Sequence, residues 1–321
     1  MNAVVSILIA TRNRSEGLAQ TLHSLQATRI PPTIRQLELI VIDNGSTDAT
    51  PEVLRTAGQR LGNRFICKWL TMPWPGKSRA LNHGLAHATG MVLLFVDDDV
   101  RVPRDWIEPM AAAILADQRD AVAGGIRLAD DLVRPWMHDL HFDYLACTAH
   151  KKSRKEHPTV GANCAIAKRV FERIPQFDPE VGPGAVGHAE DLLFWLQMRA
   201  AGFRLGVRFD VEVEHHPSAR RLARSAFLNM ARKNGDWEAY VDYHWAHTPR
   251  RTPYLSLVKA WTKLWAARLL HPVEWWTHPA APDWELFLLA QLQFRRRYLA
   301  ERKLLRKYEC EGCVKVAGLT A

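Results

Sequence analysis

The chain has 321 residues, a formal charge of +9 and an apolar content of 47%. These values fit a soluble globular protein with a substantial core and exclude collagenous, disulfide-stapled and low-complexity chains. The basic balance favours anionic partners, such as nucleotides, phospholipid surfaces or nucleic acid, without choosing among them.

The opening MNAVVSILIATRNR has neither a basic leader nor a small-residue cleavage site, so no signal peptide is expected. No run approaches the ~18 uninterrupted apolar residues of a spanning helix. Five scattered cysteines give no disulfide framework, and the expected setting is a reducing cytoplasm. Cys310 and Cys313 form one C-x-x-C without a second pair, which suits an incidental or structural pair better than a zinc or redox site.

VVSILIA reads as a buried strand, followed by a helix capped by Ser15 with an apolar stripe of Leu18, Leu22 and Leu25. LELIVID is a second strand. NGSTDATPEVLRTAGQRL then supplies a turn, an early Pro51 and a helix. FICKWL is a third strand, SRALNHGLAHATG a helix stopped by Gly90, and MVLLFVD a fourth strand. This alternation predicts an α/β fold with right-handed crossovers and a mostly parallel sheet flanked by helices. Ligands of such sheets bind at the carboxyl ends of the strands.

Polar clusters stand at those ends: Thr11, Arg12 and Asn13 after the first strand, Asp43, Asn44 and Gly45 after the second, Asp97 to Asp99 after the fourth. Together they predict one site. Farther on, KKSRKEH reads as a solvated loop, GANCAIA as a strand, and PQFDPEVGPGAVG as a turn-rich stretch leading into a helix. In that helix Leu192, Trp195, Leu196 and Arg199 have helical spacing, Glu190 and Asp191 fall in the first turn, and Gly202 is the stop. Near Ser218 the character becomes helical, basic and tryptophan-rich. Two domains are therefore expected: 1–217, catalytic, and 218–321, a helical extension. The amphipathic tail has two readings, packing on the core or on a second copy, and peripheral contact with an anionic membrane.

Oxygen ligands from a D-x-D pair suit Mg²⁺ or Mn²⁺, and Mn²⁺ also accepts imidazole. In an extended segment Asp97 and Asp99 would point one way and Asp98 the other. PGKS followed by LLFVDD invites a P-loop reading. That reading fails because Thr71 stands where a glycine is needed and Pro73 and Pro75 remove amide donors.

SILIATRNR, ELIVIDNGSTDAT, PGKSRALNHGL, LLFVDDD, GANCAIAKRVFERIPQFDP and AEDLLFWLQMRAAGF together resemble the successive motifs of the family 2 glycosyltransferases. The resemblance spans about residues 3–220 and implies a GT-A (Rossmann-like) fold and a nucleotide diphosphate sugar donor, UDP-linked by preference. It also implies inverting transfer to a hydroxyl acceptor, assisted by Mn²⁺ or Mg²⁺. Thr11, Arg12, Asp43, Gly76, Lys77, Asn82, Asp97 and Asp98 are then expected around the nucleotide. Asp99, Asp97 and His215, with His216 as a substitute, are expected on the metal. Asp191 is expected as the base, with Glu190 orienting acceptor or loop. The family commonly has glycine just before its E-D pair, whereas this chain reads GHAED, so acceptor identity does not transfer. Asn163, His188 and the Pro183–Gly187 turn are the acceptor-side candidates, and a glycan end or lipid-linked molecule is the expected acceptor class.

Two other classes compete. A sugar-nucleotide nucleotidyltransferase shares the sheet and the aspartate-held metal but needs a glycine-rich loop after the first strand, which ATRNRSEG lacks. A non-catalytic basic module would bind membrane or nucleic acid, yet no nucleic-acid motif with interleaved aromatics is present.

Overall fold

The computed structural model describes residues 3–149, 161–250 and 252–307. Cys310, Cys313 and the whole KKSRKEH stretch lie outside them. The first half builds β1 (Ala3–Thr11), α1 (Ser15–Gln26), β2 (Ile34–Asp43), α2 (Thr50–Leu61), β3 (Ile66–Thr71), α3 (Lys77–Leu85) and β4 (Val92–Val96). There follow β5 (Val100–Arg101), α4 (Ile107–Leu115), β6 (Ala121–Leu128), α5 (Asp139–Tyr144), β7 (Asn163–Ala167), α6 (Glu190–Ala200) and β8 (Leu205–His215). Among the described residues only helices come after: α7 (Arg224–His244), α8 (Pro253–Leu270), α9 (Pro272–Thr277) and α10 (Asp283–Glu301).

The eight strands of the described residues form one sheet in the order β3-β2-β1-β4-β7-β6-β8-β5. The β3-β2-β1-β4 half is parallel, and β7 enters antiparallel between β4 and β6. The apolar runs of β1, β2 and β4 are buried almost throughout because helices cover both faces. Parallel pairing sets Thr11 opposite Asp43 and Leu8 opposite Phe95, so the ends of β1, β2 and β4 share one edge.

Two elements escape a reading by apolar pattern. The strand β6, AVAGGIRL, has short side chains because its neighbours leave no room. A Cβ on Gly124 would collide with the Asn163 amide, and one on Gly125 with the Phe209 carbonyl. Helix α4 holds Pro109, which its first turn tolerates because no intrahelical N–H is needed there. Ser15, expected as a cap, is instead the first helical residue, and its N–H donates to Asp48.

The C-terminal helices share one apolar core with the sheet, through Phe227, Ala231, Leu264 and Leu286. His141 of α5 contacts the Ala281 carbonyl at 2.9 Å. Buried Glu285 ties the helices together by accepting from Arg224, Arg268 and the Trp275 indole. Helices α7 and α10 touch at Gly235, where any Cβ would meet the Ala290 carbonyl.

Candidate active site

The strand ends open into a cleft of about 250 Å³ lined by Thr11, Arg12, Arg14, Asn44, Gly76, Lys77, Asp97, Asp98, Asp99, Pro183, Gly184 and Arg221. Its floor differs from the extended D-x-D expected of it. Strand β4 ends at Val96 and Asp98–Asp99 form a turn before β5, so strict alternation does not apply and all three carboxylates reach the same cleft. They divide by counter-charge instead. Asp97 pairs with Lys77 at 2.6 Å. Asp98 accepts from the Thr11 hydroxyl at 2.7 Å. Asp99 pairs with Arg14 at 2.6 Å, lies 3.4 Å from His215 Nε2 and 3.9 Å from Arg221.

Electrostatics separates the two adjoining acids. Burial, and then the neighbouring Asp99 charge, push Asp98 up to about 7 against the pull of Arg14 and Thr11. Burial opposes ionisation of Asp99 too, but His215, Arg14 and Arg221 outweigh it and hold this carboxyl well below its ordinary range. Asp99 is thus the more readily ionised member of the pair.

Asp43 ends β2 with its carboxylate closing a turn onto the Ser46 N–H. Asn44, the next residue, fixes the far wall: its amide donates to the Met72 and Trp74 carbonyls and accepts the Gly76 N–H. That wall leads into α3, whose first turn carries Lys77. Burial alone would depress the Lys77 ammonium, but Asp97, Glu190 and Asp191 outweigh it and raise it well above its ordinary value.

Helix α3 also grips the glycine-rich turn. The Lys77 N–H donates to the Pro183 carbonyl, and the Ser78 hydroxyl to the Val181 carbonyl. Asn82, expected beside the nucleotide, has its amide in two hydrogen bonds with the Phe177 backbone. It is not among the residues lining the cleft. Its position couples α3 to the segment entering α6.

At the start of α6, Ala189 adopts a left-handed conformation (φ 67°) that turns Glu190 inward. The Glu190 carboxylate lies 3.2 Å from Lys77 and is pushed up to about 7, chiefly by burial. Gly182 packs so closely on it that a Cβ there would touch the carboxylate. Asp191 Oδ2 accepts the Gly161 N–H at 2.5 Å, and Oδ1 accepts from Leu192 at 2.8 Å. Lys77 therefore connects the aspartate cleft to the α6 carboxylates.

One acceptor-side expectation, Asn163, meets a different geometry. Asn163 has no exposed surface, and its amide holds the Gly125 and Val211 carbonyls and the Trp106 indole. It is a bracket inside the sheet and does not reach an acceptor. His188 lies half-buried, and among the described residues its Nδ1 has no hydrogen-bond partner. Burial, Lys233 and Arg221 push its imidazole down to about 4. The two adjoining histidines separate: His215 faces Asp99, while His216 Nε2 pairs with Glu214 at 2.6 Å.

Among the described residues no three His, Cys, Asp or Glu side chains converge closely enough to enclose a cation. A hard cation shared with a diphosphate needs only one or two protein ligands, so the carboxylate–imidazole pair of Asp99 and His215 fits such a role. Arg14 and Arg221 were not read as site residues. Arginine is common in this chain, and neither lies beside the aspartates in sequence.

A curled, mostly parallel sheet with an acidic cleft at its strand ends defines the GT-A class of nucleotide-sugar enzymes. The family model described as glycosyl transferase family 2 matches residues 6–174, and the chain belongs to that family. Among curated relatives, the undecaprenyl-phosphate 4-deoxy-4-formamido-L-arabinose transferase of Edwardsiella ictaluri is 32% identical over 123 residues. That match covers 38% of this chain and only 37% of the relative's length. The mannosyltransferase PcManGT of Pyrobaculum calidifontis, solved with GDP-Man and Mn²⁺, superposes with TM-score 0.63 at 18% identity, over 94% of this chain and 88% of that one. TarS residues 1–349 of Staphylococcus aureus, solved with UDP, gives 0.51 at 16% identity, over 94% and 92%. At such identities the structural likeness speaks to the fold alone.

Proposed function

We propose that the chain is a metal-assisted, inverting glycosyltransferase that moves a sugar from a nucleotide diphosphate sugar, UDP-linked by preference, to a hydroxyl acceptor. The observation that carries this is Lys77, whose ammonium stands between Asp97 of the cleft and Glu190 of the α6 carboxylate pair. Thr11, Asp43 and Arg12 are assigned to the nucleoside end. Arg14, Lys77 and Arg221 bring positive charge to the diphosphate.

When bound, Mn²⁺ or Mg²⁺ on Asp99 and His215, with Asp97 beside them, would stabilise negative charge on the departing diphosphate. The Asp191 carboxylate takes the acceptor proton as the acceptor oxygen bonds to the anomeric carbon. The bond from that carbon to the diphosphate oxygen breaks with its electrons on the nucleotide. One displacement inverts the centre and needs no second nucleophilic carboxylate. Glu190, buried against Lys77, holds the geometry of the pair.

The name of the Edwardsiella relative points to a lipid carrier, and a lipid-linked molecule that presents a sugar hydroxyl is the acceptor class we favour. The test is calorimetry with a panel of nucleotide sugars, with and without Mn²⁺. Metal-dependent binding of a UDP-linked sugar supports the proposal, and indifference to every nucleotide sugar removes it.

A further inference from the structure

Helix α8 buries only Pro253, Ala260 and Leu264. Tyr254, Val258, Trp261, Trp265 and Leu269, spaced by four, three, four and four, form a second apolar row, and each is between 41% and 78% exposed. Val273 and Trp276 of α9 continue the exposed apolar surface at 73% and 78%. Soluble proteins rarely leave so many large apolar side chains of one segment in water. We propose that this α8–α9 face seats on the surface of an anionic lipid bilayer.

The occupant follows from charge and residue type. Helix α8 contains no carboxylate, and at helical spacing its exposed Lys259 and Lys263 both fall to one side of the apolar row. Tryptophan and tyrosine beside lysine suit the boundary between headgroups and acyl chains, where rings bury their apolar part and ammonium groups meet lipid phosphate. A second copy would bring the same lysines against an α8 that has no carboxylate, and Glu274 of α9 is already engaged by the Trp284 indole N–H. Among the described residues no helix is long and apolar enough to cross a membrane, so α8 would lie along the bilayer. The face also has a link to the cleft. Arg224, in the first turn of α7, donates to the His278 carbonyl just after α9, and Arg221, three residues earlier, lines the cleft. This contact ties the segment that carries Arg221 to the end of α9.

The test is co-sedimentation of the full chain with vesicles of phosphatidylcholine alone, or with about one third phosphatidylglycerol, at low and high salt. Wild type is expected to bind the anionic vesicles, with salt weakening the binding. Leu269→Glu combined with Trp276→Glu should lower vesicle affinity at least about tenfold. Both positions are 78% exposed, so the thermal unfolding temperature should hold and report an intact fold. Wild type binding no better than to phosphatidylcholine, or an unaltered double variant, overturns the proposal. So does a lipid-free dimer that the double variant dissolves and that ignores vesicles. Vesicle binding in a protein that binds no nucleotide sugar would uphold this face while removing the transferase reading.

Discussion

The ammonium of Lys77 stands 2.6 Å from Asp97 Oδ1, and through this contact the first turn of α3 reaches the acidic end of β4. The same ammonium lies 3.2 Å from buried Glu190, so one cation compensates carboxylates on two sides of the site.

Lys77→Met should therefore damage both binding and folding. Glu190 is already pushed up to about 7 from its ordinary 4.5. A carboxyl raised on folding makes the native state hold a proton that the unfolded state has released, so stability falls as pH rises from about 4.5 to 7. Without its cation Glu190 rises further, which extends this fall to higher pH. The expected loss is about 3 kcal/mol above neutrality and clearly less near pH 5, as denaturant titrations at the two pH values would show.

Asp191→Asn should keep the fold, because an amide oxygen can still accept the Gly161 N–H. Donor binding by calorimetry should match wild type while transfer falls by roughly 10³ or more, the loss of a general base. Unaltered turnover would remove Asp191 from the chemistry.

Asn163→Ala should act on stability alone. The substitution orphans the Trp106 indole N–H and two carbonyls in a dry part of the sheet. A loss of roughly 2–4 kcal/mol is expected from unsatisfied buried groups. At a temperature where the variant is fully folded, its KM for the acceptor should equal that of wild type. A selective rise in that KM would return Asn163 to the acceptor side.

Glu38 sets the acid limb of the stability curve. Against the opposing effect of burial, hydrogen bonds from Lys68, Ser6 and Thr89 hold its carboxyl at about 2. A carboxyl lowered on folding contributes stability that is complete above its ordinary 4.5 and lost as pH falls from there towards 2. Glu38→Gln should cost about 1–3 kcal/mol at neutral pH and flatten this limb, measured by urea unfolding at stepped pH.

The central strands were legible because ILIA, LIVI and VLLFV are continuous apolar runs, the mark of strands covered on both faces. Strand β6 was not, since its glycines answer to the Asn163 amide and the Phe209 carbonyl. That is a constraint between segments with no periodic trace. Asn163 itself was misplaced for a related reason: an asparagine beside family motifs looks functional until its three hydrogen bonds inside the sheet are seen. Asn82 likewise sits in a motif segment, yet its amide holds Phe177.

By itself the sequence determined the strand–helix alternation and, with it, the edge at which Thr11, Asp43 and the three aspartates gather. Parallel crossovers oblige successive strands to end on the same side. Which cation meets which carboxylate was decided only by the tertiary structure. Arg14 leaves the β1–α1 turn, Arg221 comes from the segment after β8, and both converge on Asp99. Coulomb energy depends on ångström separations and on burial, and here both are set by packing between elements far apart in the chain. The aspartates could be read from their letters, whereas their charges could be assigned only once the fold had placed Lys77, Arg14 and His215 beside them.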